Sequence, residues 1–123
     1  MADNTEKTRY SDVELEEFKV LIEEKLVKAR QQLDFYLQQL SEDADNADAK
    51  LKGLDDGTST VARERASQMA SRQKKHIQHL ENALLRIQNK VYGICRDTGK
   101  LISKERLRAV PHATLSIAAK EKR

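Results

Sequence analysis

Leu51-Lys52-Gly53-Leu54-Asp55-Asp56-Gly57-Thr58-Ser59 is the segment at which this chain is expected to reverse direction. It holds the two glycines that lie between Ser11 and Tyr92, and no proline precedes Pro111. Glycine adopts the positive φ angles that end helices and form tight turns. About forty residues of helical pattern precede the segment and about thirty follow it. The sequence therefore predicts an antiparallel hairpin of two long helices with its tip near residues 52–59.

Two acidic side chains, Asp55 and Asp56, fall at this tip, next to Gly57. One interpretation is a probe that contacts another molecule at a distance from the body of the protein. The other is an ordinary solvated turn, because Asp and Gly are common turn residues. The residues alone leave both interpretations open.

The first helix is predicted to begin at Ser11-Asp12-Val13-Glu14, which has the pattern of a capping box. Tyr10 is expected to pack on Leu15 as a hydrophobic staple. Apolar residues then recur at steps of three and four, which places them on one face of the helix. They are Leu15, Phe18, Ile22, Leu26, Ala29, Leu33, Tyr36, Leu40, Ala44, Ala47 and Leu51.

The second helix is expected to begin at Thr58, Ser59 or Thr60 and to run to about Val91. Its inward positions are predicted at Ala66, Met69, Gln73, Ile77, Leu80, Leu84, Ile87 and Val91, with Gln73 as a polar residue that fixes register. His76 and His79 share a face, but helix surfaces carry such pairs freely, so they are a weak metal signal.

Charge is distributed unevenly along the chain. Residues 1–59 carry a net charge of −7, residues 60–89 carry +4 and residues 90–123 carry +6. An acidic helix and a basic helix favour pairing within one chain over self-association, so an elongated monomer is expected. Charged residues make up 35% of the chain and Trp is absent, a composition that suits long solvated helices better than a thick core.

Several classes of protein are disfavoured. No apolar run approaches the roughly 20 residues that span a bilayer, and the polar start Met1-Ala2-Asp3-Asn4 is not expected to act as a signal peptide. The single cysteine fits a reducing compartment, so a cytoplasmic location is expected. An enzyme is the least favoured class, because no nucleophile–base pair, phosphate loop or metal cluster is evident. The basic segment 60–123 keeps a nucleic-acid-binding protein as the main alternative, followed by a structural coiled coil.

The last third of the chain is predicted to form a small knot. Residues Ser103–Val110 are expected to form a short helix, and a final helix is expected between His112 and Arg123 with Leu115, Ile117 and Ala118 turned inward. The predicted organisation is a flexible lead (1–10), the hairpin (11–91), and the knot with its terminal helix (92–123). The apolar members of the knot are Tyr92, Ile94, Leu101, Ile102, Leu107 and Leu115.

This last third resembles the DksA/TraR family of bacterial transcription factors. The resemblance is carried by Tyr92-Gly93-Ile94-Cys95-Arg96-Asp97-Thr98-Gly99, then Ile102, Arg106-Leu107, Ala109, Pro111, Ala113, Leu115 and Lys120. The family pattern there is Y-G-x-C-x-x-C-G, an R-L-x-A-x-P-x-A run, and C-x-x-C-K. The resemblance implies an all-α fold: a long antiparallel coiled-coil hairpin with a small C-terminal zinc-finger-like knot and terminal helix.

The resemblance also shows a departure at the metal site. The four cysteines of the family correspond to Cys95, Thr98, Ser116 and Ala119, so one thiol remains, with His112 the only substitute nearby. Structural zinc takes four Cys or His ligands. We therefore expect a degenerate, zinc-less knot.

Family members bind bacterial RNA polymerase through its secondary channel and present acidic tip residues to the active centre. The family's tip pattern D-x-x-D-x-A falls on Lys52, Asp55 and Gly57, so Asp55 matches and Asp56 is its neighbour. The resemblance implies partner-binding roles for Asp55, Asp56, Gly57 and Arg106. No sequence-specific nucleic acid contact and no membrane partner are expected.

The family's effector is guanosine tetraphosphate, which is held by basic residues. The corresponding positions here include Arg72, His79, Val110 and Lys120. Arg72 and Lys120 can bind phosphate. Val110 cannot, and His79 is mostly neutral near pH 7, so dependence on this effector is left open.

Overall fold

The computed structural model describes residues 8–45 and 56–121. Four helices occur in that part of the chain: α1 (Asp12–Asp45), α2 (Asp56–Gln88), α3 (Lys104–Ala109) and α4 (Ile117–Glu121). Extended pairing among these residues is limited to one isolated antiparallel bridge between Ile94 and Leu101. The predicted all-α fold is confirmed. None of the described helices is long and apolar enough to cross a membrane.

The chain forms two compact units, and both contain part of each long helix. The first unit comprises Met1–Leu26 with His79–Arg123, and the second comprises Val27–Gln78. In the first unit the start of α1 therefore meets the end of α2, and Lys90 Nζ lies 2.6 Å from Asp12 Oδ1. The two long helices pair in antiparallel fashion, as the glycine-bracketed segment predicts.

The start of α1 is fixed by the predicted capping box. The backbone N–H of Glu14 donates to Ser11 Oγ at 3.2 Å, and the N–H of Ser11 donates to Glu14 Oε1 at 2.9 Å. The other carboxylate oxygen of Glu14 lies 2.6 Å from Lys104 Nζ. The cap of α1 is thus also tied to the first residue of α3.

The ring of Tyr10 was expected to pack on Leu15, and the structure shows it in contact with a residue farther along α1. Its ring lies on Phe18, one turn after Leu15, with ring centroids 5.8 Å apart, and Phe18 in turn lies 5.4 Å from the ring of Tyr92. The Tyr10 hydroxyl donates a hydrogen bond to the carbonyl of Ile102. Two aromatic rings from the start of the described chain and one that follows α2 therefore pack together in the first unit.

The end of α2 comes earlier than predicted. Lys90 has a φ of 62°, the N–H of Val91 donates to Arg86 O at 2.9 Å, and the N–H of Lys90 donates to Ile87 O at 3.0 Å. These two bonds and the left-handed residue form a Schellman motif, which ends a helix. Val91 lies beyond it and is 46% exposed, so its predicted place in the inward stripe is wrong. The helix also begins at Asp56, before the expected start at Thr58, Ser59 or Thr60.

The predicted inward stripe of α1 is confirmed where side chains are described. Leu15, Phe18, Ile22, Leu26 and Ala29 are buried, and Leu33, Tyr36 and Leu40 are half-buried. Ala44, Ala47 and Leu51 fall outside the described side chains.

On α2 the inward stripe is broader than predicted. Ala66, Leu80 and Ile87 are buried, as are Ala70 and Ala83, which the pattern did not include. Small alanine side chains let two helices approach closely, so they are buried without adding to a bulky apolar stripe. The remaining predicted positions, Met69, Gln73, Ile77 and Leu84, are half-buried.

The knot is built largely as predicted. Tyr92, Cys95, Ile102 and Leu107 are fully buried, and the Ser103 side chain caps α3 by accepting from the N–H of Arg106. Ile94, Leu101 and Leu115 are half-buried.

The inward face of α4 differs from the prediction. This helix spans only Ile117–Glu121, and Ile117 is 53% exposed while Ala119 is 3% exposed. Ala118 is exposed as well. The short helix therefore buries Ala119 in place of the predicted Ile117 and Ala118.

Candidate functional site

The four positions at which the resemblance places metal ligands come together in the first unit. The hydroxyl of Thr98 and the backbone N–H of Ser116, at 3.4 Å, donate hydrogen bonds to Cys95 Sγ. The N–H of Ala119 donates to Ser116 Oγ at 3.2 Å. The sequence spacing thus predicted a real spatial cluster around Cys95.

This donor set does not fit a structural zinc ion. Zinc of that kind takes four thiolate or imidazole ligands in a tetrahedron. Cys95 supplies one thiolate, Thr98 and Ser116 offer neutral hydroxyls, and Ala119 offers nothing. His112 instead stacks on His79 with ring centroids 5.4 Å apart and planes 9° apart. Over residues 8–45 and 56–121, no group of three or more His, Cys, Asp or Glu is placed to hold a metal ion.

Hydrogen bonds within the Cys95 loop give it a defined conformation. The N–H of Cys95 donates to Lys100 O and the N–H of Gly99 donates to Cys95 O, both at 2.8 Å. The N–H of Arg96 donates to Thr114 O at 2.9 Å. This last bond joins the loop to the segment before α4, a connection that a shared metal ion makes in a zinc finger.

The hydrogen bonds donated to Cys95 Sγ change the acidity of the thiol. The side chain of Thr98, followed by the backbone N–H of Ser116, lowers the pKa of Cys95 to about 6, against the opposing effect of burial. Donors to sulfur stabilise the thiolate, which is the same effect that backbone N–H groups have on thiolate ligands of metals. The loop therefore keeps the polar environment of a metal thiolate around its remaining cysteine.

Three side chains anchor the segment between α3 and α4. The Tyr92 hydroxyl donates to Pro111 O at 2.7 Å, Arg86 donates to His112 O at 3.4 Å, and Arg106 Nε donates to Leu115 O at 2.8 Å. Burial lowers the pKa of Arg86 and raises the pKa of Tyr92. The resemblance implies that Arg106 contacts a partner. In the structure its side chain is half-buried and also stabilises the knot through its bond to Leu115 O.

The structure describes only some of the residues predicted to form the tip. Asp55 lies outside the described residues, whereas Asp56 and Gly57 are the first two residues of α2. The side chain of Asp56 is not among those described. Their partner-binding roles stay predictions.

The basic residues implied for the effector lie in different parts of the chain. Arg72 is exposed on α2 in the second unit, with its guanidinium 4.0 Å from Met69 Sδ. Lys120 is exposed on α4 in the first unit. Val110 is the C-cap of α3. These phosphate contacts also stay predictions.

Sequence reasoning missed the roles of Tyr10 and Glu14 in the knot. The sequence places both at the start of α1, where their local capping roles are visible. Their second partners, Ile102 and Lys104, are more than 80 residues away along the chain, and no local pattern signals such contacts.

Comparisons with known proteins agree with this architecture. The family described as "Prokaryotic dksA/traR C4-type zinc finger" matches residues 90–123. A protein of Caulobacter vibrioides named "RNA polymerase-binding transcription factor DksA" is 32% identical over 116 residues, which span 91% of this chain and 77% of that protein. The "Uncharacterized protein YteA" of Bacillus subtilis is 38% identical over 60 residues, covering 49% of this chain and 25% of its own length.

A solved structure supports the fold. The structure described as transcription factor DksA2 from Pseudomonas aeruginosa has a TM-score of 0.77 and 24% sequence identity, and the match covers 89% of this chain and 82% of that one. At this identity the likeness establishes the fold.

The two long paired helices and the zinc-finger-type knot that follows them define a class of protein. This class consists of helical-hairpin proteins with a C-terminal zinc-finger domain. Within that class the chain belongs to the DksA/TraR family, on the strength of the Caulobacter relative and the match over residues 90–123. It departs from the C4 pattern of the family because only Cys95 remains of the four ligands.

Proposed function

We propose that this protein is a DksA-like regulator that binds bacterial RNA polymerase and acts on transcription initiation. The observation that carries the proposal is the 32% identity over 91% of the chain to a relative named for polymerase binding. The relatives that carry a functional name are called transcription factors, which supports a regulatory role over an enzymatic one.

The proposed mechanism uses the two ends of the hairpin for different tasks. The hairpin enters the secondary channel of the polymerase, and Asp55, Asp56 and Gly57 at its tip approach the active centre. Carboxylates there can act near the catalytic Mg²⁺ or on mobile elements beside it, and so change how long an initiation complex survives. Binding and effect are then separable properties of the chain.

The proposed docking face is the basic surface of the knot. Lys100 and Lys120 are exposed, and residues 90–123 carry a net charge of +6. Such charge complements an acidic rim at a channel mouth, where it chiefly sets on-rate and register. Arg106 belongs to this face, but its bond to Leu115 O makes it a poor residue for testing the face.

Guanosine tetraphosphate is proposed as a possible effector on the family resemblance. Arg72 and Lys120 are the cations assigned to it, and each is exposed. Because Val110 stands at one basic position of the family, we expect weaker dependence on this effector than the family pattern implies.

The binding proposal is tested by measuring polymerase affinity of the Lys120→Glu variant. Reversing an exposed charge in the docking face should weaken binding, and more strongly at low salt, where exposed charges are less screened. Lys28→Glu is the matched control, since Lys28 is exposed on α1 in the second unit. Equal affinity of both variants and the parent would contradict the assigned face.

A nucleic-acid-binding protein is the alternative that the basic segment 60–123 supports. The same preparation distinguishes the two functions by titration with double-stranded DNA in place of polymerase. Specific DNA binding that Lys120→Glu reduces, with no polymerase binding, would favour the alternative. Proteins that bind phosphates through many cations show steep salt dependence, so the titration is repeated at two salt concentrations.

A further inference from the structure

A short segment outside any helix precedes α1 and contacts the knot through Tyr10. The segment comprises residues 8–11, and its other three residues are exposed. Tyr10, by contrast, is 5% exposed. The one buried side chain of this segment therefore lies in the knot, whereas the backbone that carries it has no regular structure.

Tyr10 lies across the two ends of a turn in the knot. This turn, here called the knot turn, comprises residues 93–102, and the N–H of Ile102 joins its ends by donating to Gly93 O at 2.7 Å. The ring of Tyr10 covers Gly93, where an added Cβ would be 2.7 Å from Tyr10 Cε2. The hydroxyl of Tyr10 donates to Ile102 O. One side chain thus contacts both ends of the turn.

Hydrogen bonds and packing keep the knot turn closed. The N–H of Cys95 donates to Lys100 O at 2.8 Å, and the N–H of Arg96 donates to Thr114 O at 2.9 Å. Each such bond contributes modestly to stability, because water replaces it when the turn opens. With one of the four family ligands present, the contact with Tyr10 becomes a large part of what closes the turn.

The two long helices have a core that does not depend on Tyr10. Ile22 and Leu26 on α1 and Leu80 and Ala83 on α2 are buried in the first unit. A turn closed by a few hydrogen bonds and one ring opens at a lower free energy than a packed apolar core. The turn can therefore open while the helices stay paired.

We infer that residues 8–11 are a strap that holds the knot turn closed, and that the turn opens locally when Tyr10 leaves Gly93 and Ile102. Opening exposes Cys95, which is fully buried in the closed turn. It also displaces Lys100, an exposed cation of the proposed docking face. The strap is a property of the free protein, so the inference does not rest on polymerase binding.

The direct test measures how fast Cys95 reacts with iodoacetamide in the native protein. Cys95 is the one cysteine of the chain, and because it is buried it reacts only after opening. We expect the labelling rate at low urea to be nearly independent of urea concentration, because local opening exposes little surface. At higher urea, global unfolding should take over and the rate should rise steeply.

Two substitutions of Tyr10 test the strap. Tyr10→Ala should raise the low-urea labelling rate by about tenfold or more, because a buried ring and a hydrogen bond are lost. Tyr10→Phe keeps the ring and removes only the bond to Ile102 O, so it should stay folded and raise the rate by about fivefold.

Tyr36→Ala is the matched control. Tyr36 is a half-buried aromatic residue of α1 in the second unit. Its substitution should lower the urea midpoint of global unfolding, because packing is lost. The low-urea labelling rate should stay within about twofold of the parent, since the closed and open forms of the turn both keep the contacts of Tyr36.

Three results would overturn the inference. The first is a labelling rate that rises at all urea concentrations with the slope of global unfolding, which would show that the turn opens only with the whole chain. The second is an equal low-urea rate for the parent and both Tyr10 variants. The third is an increase in Tyr36→Ala as large as that in Tyr10→Ala. None of these measurements involves polymerase, so this inference and the proposed function fail separately.

Discussion

Gly93 lies where the ring of Tyr10 crosses the backbone of the knot. A Cβ at this position would be 2.7 Å from Tyr10 Cε2, and the residue has a φ of +80°. Both facts restrict the position to glycine. Gly99 shares the positive φ, at +73°, but no atom lies within 4 Å of a Cβ built there.

The two glycines therefore give a matched pair of substitutions. Gly99→Ala should lower the free energy of unfolding by about 1–2 kcal/mol, the cost of a left-handed conformation. Gly93→Ala should cost a further 1–3 kcal/mol or so, because the ring of Tyr10 must also move. Urea denaturation measures both, and equal losses would mean that Tyr10 is not held against the backbone.

Single residues also determine whether the knot can hold a metal ion. With one thiolate, two hydroxyls and an alanine around the loop, we predict that the purified protein binds no stoichiometric zinc. Its melting temperature should be unchanged by chelator, because hydrogen bonds such as Arg96 N–H to Thr114 O, at 2.9 Å, join the two segments. Inductively coupled plasma mass spectrometry measures the metal, and one zinc per chain would refute the prediction.

At this scale the sequence predicted which residues meet around Cys95, since a family spacing fixes relative positions along the chain. It could not predict the second partners of Tyr10 and Glu14. Those contacts depend on how distant segments pack, and no periodicity encodes them.

Among the elements, α2 ends in a way that the apolar pattern does not reveal. The steps of three and four continue to Val91, but Lys90 adopts a φ of 62° and the helix closes with a Schellman motif. Glycine is the usual residue at this position, so a lysine there gives no sequence signal. Lys90 is also paired with Asp12, at 2.6 Å, and both side chains are exposed.

Lys90→Gly should therefore have a stability effect that depends on salt. Glycine removes a strain of about 1 kcal/mol, and it also removes the ion pair with Asp12. In about 1 M NaCl, where an exposed pair is screened, the variant should be more stable than the parent. At low salt the gain should be smaller, and a loss of stability at high salt would show that the lysine conformation is unstrained.

The same pair predicts a pH effect. The hydrogen bond from Lys90 holds the pKa of Asp12 below its ordinary value of 3.8. Because the pKa of Asp12 is lower in the folded state than in the unfolded state, its ionised form stabilises the protein at pH values above the unfolded-state pKa. This contribution is lost as the pH falls through the folded-state pKa. Lys90→Gly should reduce this acid-side dependence and leave the smaller part that comes from Arg9, whereas Asp12→Asn, which keeps Lys90, should remove it.

For the molecule as a whole, the charge distribution and the positions of the glycines predicted the antiparallel hairpin. Both signals extend over many residues, so a wrong assignment at a few positions does not change the predicted fold. The inward face of α4 was predicted wrongly at Ile117 and Ala118, since five helical residues carry too little periodicity to orient a helix. The monomeric state stays a prediction that sedimentation equilibrium can test. The tip near residues 52–59 stays a prediction, because residues 46–55 lie outside the described part of the chain, and the role of its carboxylates depends on a partner.

The most direct test of the proposed function is the lifetime of promoter open complexes, measured with the parent protein and with Asp55→Asn combined with Asp56→Asn. Asp34→Asn with Glu64→Gln is the matched control, because it removes two exposed carboxylates of the second unit. We predict that the parent and the control change the lifetime equally. The tip variant should bind polymerase within about threefold of the parent, since docking depends on the knot, and leave the lifetime unchanged. A tip variant that shifts open-complex lifetimes as the parent does would contradict the account, even with polymerase as the partner.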